Sequence, residues 1–244
     1  MGSCAVVLAS GSGVRFGANL VPKHMTPISN VPCFIWTLRT MVRSGLFASI
    51  AVVARSEDLP ATQAAIEVYL GNTSSDIVLG EGGSERMGSF ANGLSQLMAG
   101  HPPGWEGIVA LADANRPLVP IEQLEQLNEK ALEFGCACPG RSVVNGVARV
   151  RKGRIIEVPN KSEYIDFVTP EFINTSLLSE LLETSTPRFS YHSLVEYSLA
   201  SGVQPFVVES SILNTKLTYP EDISVLEGLV TEHYAAADSS GAKA

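Results

Sequence analysis

Short apolar runs rich in β-branched residues recur along the chain and alternate with longer segments of helical periodicity. The five runs are Cys4–Ser10, Ser49–Arg55, Asp76–Gly80, Gly107–Asp113 and Val203–Ser210. Runs that are apolar throughout are typical of parallel strands buried on both faces, whereas half-exposed strands alternate apolar with polar residues. With helices between them, they predict an α/β domain with a doubly wound, mostly parallel sheet.

Three of the intervening segments have the apolar spacing of amphipathic helices and recognisable end signals. They are residues 33–45, 84–100 and 120–135. Their predicted ends are Ser84 as N-cap, Pro120 in a first turn, and Gly45 and Gly135 at C-termini. Their apolar stripes predict the core-facing residues, Phe34, Leu38 and Met41 in the first helix and Met87, Phe90, Leu94 and Leu97 in the second.

Residues 140–160 interrupt this alternation and have the character of a β-hairpin. Asn145-Gly146 and Lys152-Gly153 are turn signals, flanked by alternating apolar and basic residues. The pattern leaves open whether the hairpin projects as a lid or dimerisation arm or pairs with the edge of the main sheet. We expect residues 1–235 to form one domain that contains this hairpin, and residues 236–244 to be a disordered tail.

Composition and residue patterns argue against nucleic-acid binding, a membrane span and a zinc or disulfide framework. The formal net charge is -8, with only 17 Lys and Arg, which argues against a nucleic-acid partner. No apolar stretch reaches the roughly 18 residues of a membrane helix, and no signal peptide precedes the first strand. The four cysteines form no CxxC pair, so buried thiols are expected in place of a zinc site or disulfides. These features predict a cytoplasmic protein.

Glycines, cations and one aspartate follow the ends of the predicted strands. The first strand is followed by Gly11, Gly13, Arg15 and Lys23; the third is followed by Gly82, Gly83 and Ser84; the fourth ends at Asp113, with Arg116 close behind. Ligands of an open parallel sheet bind beyond these carboxyl ends. Backbone N–H groups and cations suit phosphate oxygens, and a carboxylate suits Mg²⁺. The pattern predicts a phosphate site with Mg²⁺ at Asp113.

Known nucleotide motifs do not fit this first loop. Gly11, Gly13 and Gly17 lack the spacing of a dinucleotide fingerprint, and no Walker loop is present. A short-chain oxidoreductase would need a Tyr-x-x-x-Lys pair, which is absent. The glycines alone are compatible with a purely structural turn, so the prediction of a phosphate site depends on the cations and Asp113 that accompany them.

Five segments nevertheless occur in the order found in cytidylyltransferases. They are GSGVRFG…PKHM, GEGGSERMGSFANGL, DANRP, VTPEFI and NTKLTYPED. From Val6 to about Leu229 the chain resembles the 2-C-methyl-D-erythritol 4-phosphate and ribitol-5-phosphate cytidylyltransferases. The resemblance implies a Rossmann-like nucleotidyltransferase fold and transfer of CMP from CTP to a phosphorylated acceptor, with release of pyrophosphate, as in isoprenoid biosynthesis. It also implies Mg²⁺ as cofactor and a homodimer joined through residues 140–160.

The resemblance assigns roles to individual residues. Those implied at the triphosphate and the reacting α-phosphorus are Arg15, Lys23 and Lys216, the last on the final strand. Those implied in CTP binding are Ala9, Ser10, Gly11, Gly13, Gly83, Ser84, Ser89, Ala114 and Arg116. Asp113 is implied as the metal ligand, and Lys161 and Thr169 as acceptor contacts. Attack of a phosphate oxygen on the α-phosphorus needs no protein nucleophile, only positioning and positive charge.

The acceptor half departs from the family pattern. Lys161 stands where an arginine is usual, which loses bidentate phosphate binding. Val143 replaces a polar residue of the arm, Phe189-Ser190-Tyr191 replaces an acidic patch, and Leu213 replaces an aspartate. We expect a cytidylyltransferase for a phosphorylated acceptor of the methylerythritol phosphate, polyol phosphate or sugar phosphate type, with a phosphonate as the alternative. Methylerythritol phosphate is the single most favoured named acceptor, but the replacements predict that it is used poorly. A non-catalytic, nucleotide-binding dimeric protein remains the alternative.

Overall fold

The structure, a computed structural model, describes residues 2–11, 16, 21–71, 73, 75–102, 104–178 and 191–240. Its strands are β1 Ser3–Leu8, β2 Pro27–Ile28, β3 Val31–Pro32, β4 Phe47–Ala54, β5 Asp76–Glu81, β6 Ile108–Asp113, β7 Cys136–Ser142, β8 Arg149–Arg151, β9 Arg154–Glu157, β10 Ile165–Phe167, β11 Glu171–Asn174 and β12 Phe206–Glu209. Its α-helices are α1 Cys33–Arg43, α2 Leu59–Tyr69, α3 Arg86–Ala99, α4 Ile121–Phe134, α5 Leu194–Ala200 and α6 Asp222–Ser240.

Within these residues the central sheet has eight strands, in the order β10-β7-β11-β6-β1-β4-β5, with β12 also paired to β7. The pairs β1–β4, β1–β6, β4–β5 and β7–β12 are parallel. Only the short strands β10 and β11 pair antiparallel to their neighbours. The predicted α/β fold with a mostly parallel sheet is therefore confirmed.

Helices cover both faces of this sheet, because successive side chains of a strand point to opposite faces. Val7 of β1 packs in one buried cluster with Phe34 of α1 and Leu127 of α4. Val6, the preceding residue, packs in a second cluster with Phe90 of α3 and others from α5. The helical stripes predicted from the sequence are buried, and all four cysteines are buried and free.

Some predicted ends of elements are wrong. Glu85, and not Ser84, is the N-cap of α3, and Pro120 is the N-cap of α4 where a first-turn position was expected. Gly135 ends α4 as predicted, with a φ of 85° that favours glycine. Helix α6 continues to Ser240, so the tail expected to be disordered from residue 236 is helical at its start.

Strands β8 and β9 form the predicted hairpin as a two-stranded sheet of their own. Lys152 and Gly153 both have positive φ, at 49° and 75°, as a two-residue hairpin turn requires. The alternative of an edge hairpin in the main sheet is therefore wrong, and the side chains of both strands are exposed. In the described part of the chain, no helix combines the length and apolarity needed to cross a membrane.

Candidate active site

The carboxyl ends of β1, β5 and β6 open onto one cavity. Because these strands run parallel, Ala9, Gly83 and Ala114, which follow them, are brought to the same edge of the sheet. The cavity has a volume of about 420 Å³. Its lining residues are Leu8, Ala9, Ser10, Gly11, Lys23, His24, Gly83, Ser84, Glu85, Arg86, Ser89, Asp113, Ala114, Asn115 and Lys216.

Ten residues predicted for the site line this cavity. They are Ala9, Ser10, Gly11, Lys23, Gly83, Ser84, Ser89, Asp113, Ala114 and Lys216. Gly13 and Arg15 lie outside the described residues, as do Phe189 and Ser190. The structure therefore brings together most of the residues implied for the nucleotide, from segments more than 200 positions apart in the chain.

Asp113, the last residue of β6, is the buried centre of an ion-pair cluster. Arg86 Nη1 donates to its Oδ1 at 2.7 Å, and Lys216 Nζ donates to its Oδ2 at 2.7 Å. Arg116 Nε lies 3.6 Å from Oδ2, an ion-pair distance that is too long for a hydrogen bond. Burial alone would raise the pKa of Asp113, but the three cations hold it well below its ordinary value. Asp113 is therefore a carboxylate at neutral pH.

The position of Lys216 depends on the loop that carries it. Residue 216 lies in an irregular segment between β12 and α6, so its predicted place on a last strand is wrong. Asn115 anchors this loop, because its Nδ2 donates to Leu217 O at 2.6 Å and its backbone O accepts from Leu217 N at 2.9 Å. Two hydrogen bonds to the neighbouring residue thus hold the ammonium group beside Asp113.

Ser89 joins the two glycine-rich loops that line the cavity. Its Oγ accepts from Gly83 N at 3.1 Å and lies 3.0 Å from Ser10 Oγ. A Cβ on Gly83 would lie 2.8 Å from the backbone carbon of Gly88, so only glycine fits there. These contacts keep the backbone of both loops at the cavity, where their N–H and C=O groups can form hydrogen bonds with a nucleobase.

Two lining side chains were missed from the sequence. Arg86 begins α3 directly after the glycine loop, and a cation in the first turn after such a loop is the signal that could have identified it. His24 follows Lys23, and burial lowers its pKa to about 4. Its Nε2 lies 3.4 Å from Thr62 Oγ1, and the ring packs edge-on against Phe34. His24 is therefore a neutral, packed side chain at neutral pH.

Three predicted contacts do not line the cavity. Arg116 is buried behind Asp113, where its Nη1 donates to Asn214 O at 2.8 Å. Thr169 is buried beside it, and its backbone O accepts from Asn214 Nδ2 at 2.8 Å. Lys161 is exposed directly after the hairpin segment, and its Nζ donates to Val144 O at 3.1 Å. Arg116 is therefore placed to hold residues 213–218, the loop that carries Lys216, and not to contact a nucleotide.

The carboxylate of Asp113 suits a metal ion only in company with a nucleotide. Among the described residues, no group of three or more His, Cys, Asp and Glu side chains could hold a metal. Mg²⁺ commonly binds through one or two carboxylates, with phosphate and water oxygens completing its octahedron. A single buried carboxylate beside the cavity of about 420 Å³ fits that pattern and does not fit an all-protein metal site.

Comparison with known proteins finds similarity over nearly the whole chain. The family model described as IspD, 2-C-methyl-D-erythritol 4-phosphate cytidylyltransferase, matches residues 3–232. A protein of that name from Leptospira interrogans is 28% identical over 222 residues, covering 91% of this chain and 90% of its own. One from Caldicellulosiruptor bescii is 27% identical over 235 residues, covering 96% and 100%.

Solved structures show the same fold. A 4-diphosphocytidyl-2C-methyl-D-erythritol synthase superposes with a TM-score of 0.75 at 21% identity, over 94% of this chain and 98% of that one. The Francisella tularensis 2-C-methyl-D-erythritol 4-phosphate cytidylyltransferase gives a TM-score of 0.71 at 20% identity, over 94% and 100%. On the family match and the shared fold, this chain belongs to the 2-C-methyl-D-erythritol 4-phosphate cytidylyltransferase family and is a nucleotidyltransferase.

Proposed function

We propose that the chain transfers CMP from CTP to the phosphate of 2-C-methyl-D-erythritol 4-phosphate and releases pyrophosphate. The observation that carries the proposal is the convergence of Lys23, Arg86 and Lys216 with Asp113 in one cavity of an acidic protein. The relatives bear the name of this reaction. They give no support to the divergent acceptor that we expected from Lys161, Val143 and Leu213.

In the proposed reaction, an oxygen of the acceptor phosphate attacks the α-phosphorus of CTP. The new P–O bond forms while the bond to the β-phosphate breaks, and pyrophosphate leaves with that electron pair. Lys23 and Lys216 supply positive charge to the triphosphate, and the glycine loops position the cytidine. Positioning and charge stabilisation are the main contributions in phosphoryl transfer.

A divalent metal, which we propose to be Mg²⁺, would neutralise phosphate charge and orient the leaving pyrophosphate. Asp113 is the residue that would hold it. The burial of Asp113 and its low pKa support this role, because the ligand must be ionised over the whole neutral range.

The test is a pyrophosphate-release assay with each of the four common nucleoside triphosphates. The acceptors are methylerythritol phosphate, a polyol phosphate, a sugar phosphate and a phosphonate. We expect release with CTP and methylerythritol phosphate. It should fall by about 10²–10³ in Lys23→Met and stay unchanged in Lys130→Met, because Lys130 of α4 does not line the cavity. Release with another acceptor only would instead support the divergent site, and no release with any pair would support a non-catalytic protein.

We also propose that two copies pair through the hairpin segment. Several apolar side chains there are exposed, including Val150 at 58%, Ile155 at 65% and Val158 at 69%. An exposed apolar group of this size is typical of a protein interface. Lys161 does not line the cavity of its own protomer, so we propose that any role at the acceptor is played in the cavity of the other copy.

Light scattering during gel filtration tests the dimer. We expect the wild-type protein at twice the monomer mass and Ile155→Asp at the monomer mass. Val68→Asp is the matched control, because Val68 is 75% exposed on α2, away from the hairpin. A monomeric wild-type protein, or a dimer that tolerates Ile155→Asp, would contradict the proposed interface.

A further inference from the structure

Both carboxylate oxygens of Asp113 are bonded to cations of the chain itself. Oδ1 accepts from Arg86 and Oδ2 from Lys216, each at 2.7 Å. Arg116 adds a third positive charge 3.6 Å away. Three cations around one carboxylate leave an excess of positive charge at the position where a metal would bind.

The placement of Arg86 is a second, independent indication that its partner Asp113 can be exchanged for a phosphate group. Arg86 is the first residue of α3, and the positive end of a helix dipole disfavours a cation there. Asp113 offsets this cost through the 2.7 Å ion pair. A phosphate group at the same helix end would offset it equally well, because helix N-termini bind anions.

We propose that Lys216 and Arg86 close the metal position on Asp113 until a nucleotide triphosphate draws them away, so that the metal binds only together with the nucleotide. The proposal rests on the proposed function, since it takes the triphosphate as the ligand of the cavity. The exchange breaks the ion pairs of Asp113 and replaces them with pairs between the two cations and phosphate oxygens. Asp113 then gains the metal as its partner.

The exchange keeps each charged group paired in both states. Asp113 is 5% exposed and would be costly to leave as an unpaired carboxylate. Lys216 and Arg86 have side chains 31% exposed, so both can move toward the cavity without crossing the core. Because Lys216 and Arg86 compete with the metal for Asp113, the site should bind the metal–nucleotide complex and not the free metal.

Titration of the nucleotide-free protein with Mn²⁺, followed by the electron paramagnetic resonance signal of the free ion, tests the proposal. The wild-type protein should show no saturable binding up to millimolar Mn²⁺. Lys216→Met should bind Mn²⁺ at least about tenfold more tightly, because removal of one neighbouring charge shifts an ionic equilibrium by one to three powers of ten. Lys130→Met, a lysine replaced on α4 outside the cavity lining, should match the wild type.

A double variant, Lys216→Met with Asp113→Asn, should lose the gain, which shows that the ion binds at Asp113. Thermal unfolding of each variant verifies that it is folded. Mn²⁺ binding by the wild type as tight as by Lys216→Met, or no gain over Lys130→Met, would overturn the proposal. The titration contains neither nucleotide nor acceptor, so its failure is distinguishable from failure of the pyrophosphate-release assay.

Discussion

Replacement of Glu171 by glutamine tests the electrostatics of the sheet beside the site. Glu171 opens β11 and is 2% exposed, and its Oε2 accepts from Val195 N at 3.0 Å at the start of α5. Burial raises its pKa to about 7; Arg86 favours the charged form and Asp113 disfavours it. The neighbouring thiols of Cys136 and Cys138 stay neutral, because burial raises their pKa to about 12.

The sign of the effect follows from proton binding. Between pH 4.5 and about 7 the folded protein keeps a proton on Glu171 that the unfolded chain has released, so the free energy of unfolding falls as pH rises. At ~1.4 kcal/mol per pKa unit, a rise from 4.5 to about 7 corresponds to a loss of about 3 kcal/mol. Glutamine does not titrate and retains an acceptor for Val195 N.

We therefore expect Glu171→Gln to resemble the wild type near pH 4.5 and to be more stable by up to about 3 kcal/mol near pH 8. The assay is urea unfolding of both proteins across this range, with the difference in unfolding free energy as the readout. Glu125→Gln, on the exposed side of α4, should differ from the wild type by less than about 0.5 kcal/mol at every pH. A difference for Glu171→Gln that is constant with pH would refute the reasoning.

Three further substitutions test packing and loop geometry. Gly93→Ala places a Cβ 2.5 Å and 2.7 Å from two buried valine side chains, so it should lower the free energy of unfolding by about 1–3 kcal/mol in urea. Gly146→Ala is the control and should be neutral, because no atom lies within 4 Å of the added Cβ. Ser89→Ala removes the acceptor for Gly83 N and should weaken CTP binding about tenfold in calorimetry; unchanged affinity would contradict that role. Asn115→Ala removes the side-chain member of the two hydrogen bonds that hold Leu217 beside Lys216, and it should lower kcat about tenfold. An unchanged kcat would show that this bond does not contribute to catalysis.

The parallel half of the fold was predictable because its signal is local. Residues 4–9 and 108–112 are apolar throughout, and such runs occur where helices cover both faces of a sheet. Strands β10 and β11 were missed, since each has only three or four residues and depends on pairing with β7 or β6. Short strands of mixed composition carry too little pattern to be identified before their partners are known.

The site was predictable to the extent that it follows strand ends. Asp113 and the glycine loops could be placed together because parallel strands end at one edge of the sheet. The pairing of Arg86 and Lys216 with Asp113 could not, because it depends on how α3 and the 213–218 loop pack in three dimensions. The inward position of Arg116 is likewise a result of its bond to Asn214 O, which no spacing in the sequence indicates.

A crystal structure of the protein with CTP and Mg²⁺ tests most directly whether this cavity is the nucleotide site. We predict the triphosphate between Lys23 and Lys216, with the metal bound to Asp113 and the Lys216–Asp113 ion pair broken. A nucleotide bound on another surface, or a triphosphate in the cavity with that ion pair still intact and no metal on Asp113, would contradict it.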